Sequence, residues 1–188
     1  MFQTATSTGI SMVVDGKPDP KARAFVDGSA AWSPDGKHLA HGAQVGVSVS
    51  QPMVDGTVRP HNLQQFNTTN NPKILFPVFS WSPDGNHLAY VALTMDQMPK
   101  GGVWVDGTLF QGQIALFQFP SWSPNSKHFA TVMTGRGWTA MVDGKLSPSW
   151  EEFLALSATA CRFVDDHTFR FYGVKAGQVY RVMLDLGG

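Results

Sequence analysis

Three histidines occupy the same place in three copies of one short string: His38, His87 and His128. Imidazoles that recur like this raise the question of a metal centre, because neutral histidine is a common metal ligand. Asp165-Asp166-His167 is a second candidate, a carboxylate–imidazole grouping of the kind that moves protons. The aspartates of four Val-Asp-Gly strings, Asp15, Asp55, Asp106 and Asp143, are a third. Cys161 is the single cysteine. It excludes an internal disulfide and reads as a small buried hydrophobe beside a strand. No Gly-x-Ser-x-Gly elbow, phosphate loop or His-Glu-x-x-His string is present.

The elements carrying these residues decide between the readings. Trp81-Ser82-Pro83-Asp84-Gly85-Asn86-His87-Leu88-Ala89-Tyr90 reads as a strand end, a tight turn and a new strand. Pro83 presets φ for a turn, and Asp84-Gly85 supplies its chemistry. The string recurs at Trp32–Ala40 and Trp122–Ala130, and a degenerate copy, one residue shorter, runs from Phe163 to Phe169. A second element is an apolar strand ending in Val-Asp-Gly, a hairpin signal, with a worn copy at Val182-Met183-Leu184-Asp185. Subtracting the positions of Asp15, Asp55, Asp106, Asp143 and Asp185 gives spacings of 40, 51, 37 and 42. Four-stranded propeller blades repeat at about 40–45 residues. A β-helix coil would be shorter and more uniform, and the alternating helix signals of a βαβ unit are absent.

The expectation is one all-β domain over 1–188, a small propeller of about five blade units: 1–28, 29–66, 67–117, 118–157 and 158–188. Strand A ends at the Trp, B follows the Ser-Pro-Asp-Gly turn, C ends at Val-Asp-Gly, and D leads to the next unit. Phe2–Thr6 is then a B strand, Ile10–Val14 a C strand and residues 22–26 a D strand. The first unit lacks strand A and the last lacks strand D. Three resolutions follow: closure of the ring within one chain, a homodimer joined through the incomplete terminal units, or continuation in a longer propeller. Closure within one chain is the expectation. Only 149–153 is allowed a helical turn.

The motifs resemble TolB-like β-propeller repeats, relatives of the WD-repeat group, whose signature is Trp/Phe-Ser-Pro-Asp-Gly-Lys-x-Leu-Ala. The resemblance covers most of residues 1–186, is strong at Trp32, Trp81 and Trp122, and weak at Phe163. The Val-Asp-Gly strand resembles bacterial proteins of this group. The resemblance implies a scaffold that binds other proteins or controls access to an attached enzyme. It implies no catalytic residue.

On that scaffold the chemical candidates become framework. Equivalent histidines of different blades are rotated apart around the ring and do not converge on a metal. Asp165-Asp166-His167 becomes a polar turn, the Val-Asp-Gly aspartates become turn formers, and the Trp side chains pack between blades instead of forming a sugar platform. No catalytic residue, metal or cofactor is expected.

Formal net charge is zero, from 14 basic and 14 acidic residues. With no basic run, nucleic acid is not an expected partner, and no apolar run approaches membrane-spanning length. The N-terminus lacks a basic segment followed by an apolar core, so no signal peptide is visible; cytoplasm and periplasm both stay open.

Two insertions break the period. Residues 67–77 lengthen a D–A connection and 94–101 a B–C loop. These connections leave a propeller on the same face, opposite the Ser-Pro-Asp-Gly and Val-Asp-Gly turns. Insertions confined to one face mark a binding face. Its polar groups are Asn70, Asn71, Lys73, Asp96, Gln97 and Lys100, with Arg136 and Lys175 in the shorter B–C loops of later units. The expected function is a non-catalytic binding or protein-interaction scaffold, taking a protein or a small polar ligand there. The alternatives are a propeller-type glycoside hydrolase, which needs two or three carboxylates at the channel mouth, and a regulatory propeller cut from a larger hydrolase.

Overall fold

The computed structural model describes residues 2–6, 9–14, 16–18, 24–44, 50–58, 78–94, 100–112, 120–134, 137–154 and 161–187. Among them the fold is all-β, with no helix. The first sheet is β1 (Phe2–Thr6), β2 (Gly9–Val14) and β3 (Lys17–Pro18) in chain order. The second is β4 (Ala24–Trp32), β5 (Leu39–Gln44), β6 (Ser50–Val54) and β7 (Thr57–Val58). The third is β8 (Val78–Trp81), β9 (Leu88–Thr94), β10 (Lys100–Val105) and β11 (Thr108–Gly112). The fourth is β12 (Ser121–Trp122), β13 (Phe129–Thr134), β14 (Trp138–Val142) and β15 (Lys145–Leu146).

The last sheet departs from the simple meander. Its centre is β18 (Thr168–Lys175), flanked on one side by β19 (Gln178–Asp185). On the other side lie two short strands, β16 (Glu152–Phe153) and β17 (Arg162–Phe163), pairing opposite ends of β18. The first strand of this sheet is therefore made in two pieces. The second sheet shows the same device more compactly. In β4, Ala24 and Phe25 pair with Gln44 and Ala43, the register shifts, and Ala30–Trp32 pair with His41–Leu39. Two expectations are corrected here. Residues 24–26 begin the inner strand of the second sheet and are not a fourth strand of the first, because β3 already pairs with β2 in that place. Residues 149–153 take no helical turn: Trp150 bridges to Trp138, and Glu152–Phe153 is a strand.

The hairpins follow from local chemistry. Asp55-Gly56, Asp106-Gly107 and Asp143-Gly144 have φ of 50 and 68°, 47 and 88°, and 48 and 81°. Positive φ at both central residues is the type I′ turn, whose twist matches paired strands. Asp tolerates this region better than most residues because its side chain bonds locally.

The sheets stack face to face. Inner strands lie side by side in the order β4, β8, β12, β17. Two of the interfaces set large side chains of one sheet on smaller ones of the sheet before it. Ala40 and Val54 of the second sheet meet Phe79, Leu88, Tyr90 and Trp104 of the third. Ala130, Val132, Ala140 and Val142 of the fourth meet Phe153, Phe163, Phe169 and Phe171 of the last. Trp150 lies so close to Gly173 that a Cβ there would sit 2.7 Å from the indole ring. At these two interfaces small faces receive large ones, so the side chains interdigitate. Repeated antiparallel sheets with aligned inner strands are the blade arrangement of a propeller.

Candidate functional site

The Trp-Ser-Pro-Asp-Gly turn is a closed hydrogen-bond unit. Ser33 is buried, and its Oγ donates to Asp35 Oδ1 at 2.6 Å while accepting from His38 N at 2.9 Å. Asp35 Oδ1 also accepts from Lys37 N at 3.1 Å. Ser82 with Asp84, and Ser123 with Asn125, repeat the pattern, so an amide oxygen serves where the carboxylate is replaced. The Ser33 hydroxyl, with Lys37, holds Asp35 well below the usual carboxylate range. Ser82, with Asn86, holds Asp84 down at about 2. In the degenerate copy Asp165 accepts from His167 N and Thr168 N at 2.8 and 2.7 Å, and these bonds, His167 first, lower its pKa. The Asp165-Asp166-His167 string is a turn held by its own backbone.

Each histidine of the three full copies is bound to its own sheet. His38 Nδ1 lies 2.7 Å from Asp55 Oδ2, His87 Nδ1 2.7 Å from Asp106 Oδ2, and His128 Nδ1 2.7 Å from Asp143 Oδ2. The other carboxylate oxygen accepts from the backbone of the residue after the histidine, Leu39, Leu88 or Phe129, at 2.9, 2.9 and 3.0 Å. The aspartate thus forms its turn and ties down the next strand over. Each imidazole also faces the following sheet. His38 lies 6.1 Å from Trp81, His87 stacks 5.8 Å from Trp122, and His128 meets His167 edge-on at 5.9 Å. The indole completes the contact: Trp81 Nε1 donates to Ala31 O and Trp122 Nε1 to Ser80 O, both at 3.0 Å.

Adjacent turns touch as well. Asp84 N donates to Ser126 Oγ at 3.0 Å, and Gly85 packs over Pro34 and Asp35. Ser126, with φ of 64°, stands where the other copies have Gly36 and Gly85. The strain of a side chain in that region is offset by the bond it makes to its neighbour. This rim is structural: its carboxylates and imidazoles are committed to backbone groups and to one another. Among the described residues no group of three or more His, Cys, Asp or Glu is placed to hold a metal ion.

Several strand ends next to the residues singled out for binding lie at the opposite end of the sheets. Thr94 pairs with Lys100, so 95–99 leave from that end of the third sheet, and β8 enters there at Val78. Thr134 pairs with Trp138 and Lys175 with Gln178 at the corresponding ends of the fourth and last sheets. Lys175 is exposed beside the Ala176-Gly177 turn. Lys100 begins β10. Asn70, Asn71, Lys73, Asp96, Gln97 and Arg136 lie outside the described residues. The residues that sequence reasoning missed are the His–Asp partners. One signal was present: His and Val-Asp-Gly occur together in the same three units, Asp55 with His38, Asp106 with His87 and Asp143 with His128.

Sheets, turns and inter-sheet contacts together define a repeat protein built of antiparallel β-blades. No family model matches the chain, and no curated protein matches it. Among solved structures it is similar to TolB from Acinetobacter baumannii, with 15% identity over 90% of this chain and 43% of that one and a TM-score of 0.44. It is also similar to a protein described as TolB from Agrobacterium tumefaciens, with 14% identity over 85% of this chain and 61% of that one and a TM-score of 0.42. The chain spans less than two thirds of the length of either.

Proposed function

We propose that the chain is a non-catalytic interaction scaffold. It binds a protein or a small polar ligand at the end of the sheets that carries the lengthened connections 67–77 and 94–101. The observation behind this reading is that both lengthened connections join the third sheet at one end, at Val78 and at the Thr94–Lys100 pair. Connections carry recognition when a rigid framework fixes their ends. The other end is used up in holding the framework together, through the Ser-Asp turns and His–Asp pairs. On this reading Asn70, Asn71, Lys73, Asp96, Gln97 and Lys100 supply the polar contacts, with Arg136 and Lys175 at the neighbouring sheets.

A photo-crosslinking residue at Asp96 or Lys100 tests this, with Lys37 on the opposite rim as control. The expected result in cells is a discrete adduct from 96 and 100 that Lys37 does not give. Replacing 95–99 with an Ala-Gly turn abolishes the adduct formed from Lys100. Equal labelling from Lys37, or an adduct that survives the replacement, would place recognition elsewhere.

A further inference from the structure

β19 is an edge. In the second, third and fourth sheets a fourth strand lies outside the third: β7 outside β6, β11 outside β10, β15 outside β14. Among the described residues nothing pairs with the outer side of β19. The strand is eight residues long, with Val179 61%, Tyr180 41% and Met183 47% exposed. Long edges with exposed apolar side chains are templates for another strand.

The hairpin fixes which groups face outward. Ala176 and Gly177 have φ of 50 and 70°, a two-residue type I′ turn, and Lys175 and Gln178 close it. Alternation along an antiparallel ladder then points the backbone groups of Gln178, Tyr180, Val182 and Leu184 at β18. Those of Val179, Arg181, Met183 and Asp185 turn away from it.

We propose that a second copy of this chain pairs with that edge, antiparallel, about a two-fold axis at Met183. Charge selects the register. An axis at Arg181 would set two arginines opposite each other. Axes at Tyr180 or Val182 would set Arg181 against an apolar residue. The axis at Met183 sets Arg181 opposite the partner subunit's Asp185, and the symmetry repeats the pair. Opposite charges across a ladder stabilise it and like charges oppose it. In the same register Val182 meets the partner subunit's Leu184, and Tyr180 meets the partner subunit's Leu186. Val182, Leu184 and Leu186 already pack on the core of the last two sheets, so the pairing extends an apolar face. A two-fold contact of this kind is isologous and closes at two copies. It is independent of the loop surface proposed above.

Light scattering on the 188-residue chain across a dilution series is the test. The expected mass at high concentration is twice 20.5 kDa. Arg181→Asp alone, and Asp185→Arg alone, weaken association by about tenfold or more through like-charge opposition. The double variant R181D/D185R restores it. Circular dichroism separates lost pairing from lost folding. Met183→Cys reports the register: paired residues across a ladder lie about 5.5 Å apart, within disulfide reach. That variant oxidises to a covalent dimer faster than Val179→Cys. A single-chain mass at every concentration overturns the proposal. So does a dimer indifferent to the single swaps, a double variant that fails to recover, or equal cross-linking at 179 and 183.

Discussion

The indole of Trp81 donates to the carbonyl of Ala31 at 3.0 Å, across two sheets and 50 residues of sequence. Trp122 repeats the bond with Ser80. In these two units one side chain thus satisfies a backbone acceptor of the preceding unit and also rests against its histidine. Trp32, although it opens an equally complete copy of the motif, is 45% exposed.

The tryptophans are therefore unequal. Trp81→Phe keeps most of the packing and loses the hydrogen bond, costing about 0.5–1.5 kcal/mol. Trp81→Ala costs more, approaching the roughly 3–5 kcal/mol of large core truncations. Trp32→Ala stays within about 1 kcal/mol, near the range of surface changes. Urea melts of the three variants give the ranking. Equal losses at positions 32 and 81 would contradict the inter-sheet role.

The His–Asp pair serves the hairpin more than the imidazole. Asp106→Ala strips the partner from Leu88 N as well as from His87, and costs about 1–3 kcal/mol. His87→Ala leaves the carboxylate on Leu88 N, and half-exposed pairs of this kind contribute about 0.2–1 kcal/mol. A double-mutant cycle by denaturant unfolding measures the coupling. A larger loss from His87→Ala than from Asp106→Ala would reverse this assignment.

Acid should act on the Ser-Asp turns. Asp35 and Asp84 have lowered pKa values in the folded chain, with Asp84 at about 2 and an ordinary value of 3.8. A depressed folded pKa contributes stability that is present above the unfolded value and is lost as pH falls toward the folded one. The loss therefore falls between about pH 4 and 2. Asn125 shows that an amide keeps the same hydrogen bonds without titrating. Asp35→Asn with Asp84→Asn is expected to fold normally and to flatten the stability–pH curve in that window. Chemical denaturation at a series of acidic pH values checks it; an unchanged slope sinks the idea.

Cys161 is buried beside Phe163, and burial pushes its thiol up to about 12. Since the thiolate is the reactive form, a thiol reagent at pH 8 should label native protein far more slowly than denatured protein. Rapid native labelling, followed by absorbance, would show that the last sheet opens locally.

The repeats, the turns and the all-β class were legible in the sequence because they rest on local chemistry. Pro83 and Asp84-Gly85 set one turn, and Asp106-Gly107 sets another with positive φ at both residues. Both depend only on neighbours in the chain, and so does the period at which they recur. The tertiary structure decided what the recurring side chains do. His87 finds Asp106 because β9 and β10 pair in one register, and Trp122 reaches Ser80 only once the third and fourth sheets are stacked. Equivalent strings therefore have unequal fates, with Trp81 bonded across a sheet boundary and Trp32 exposed. The split inner strand of the last sheet was hidden for the same reason. Glu152–Phe153 and Arg162–Phe163 are too short to read as strands alone, and β18 makes them strands by offering both ends of one edge.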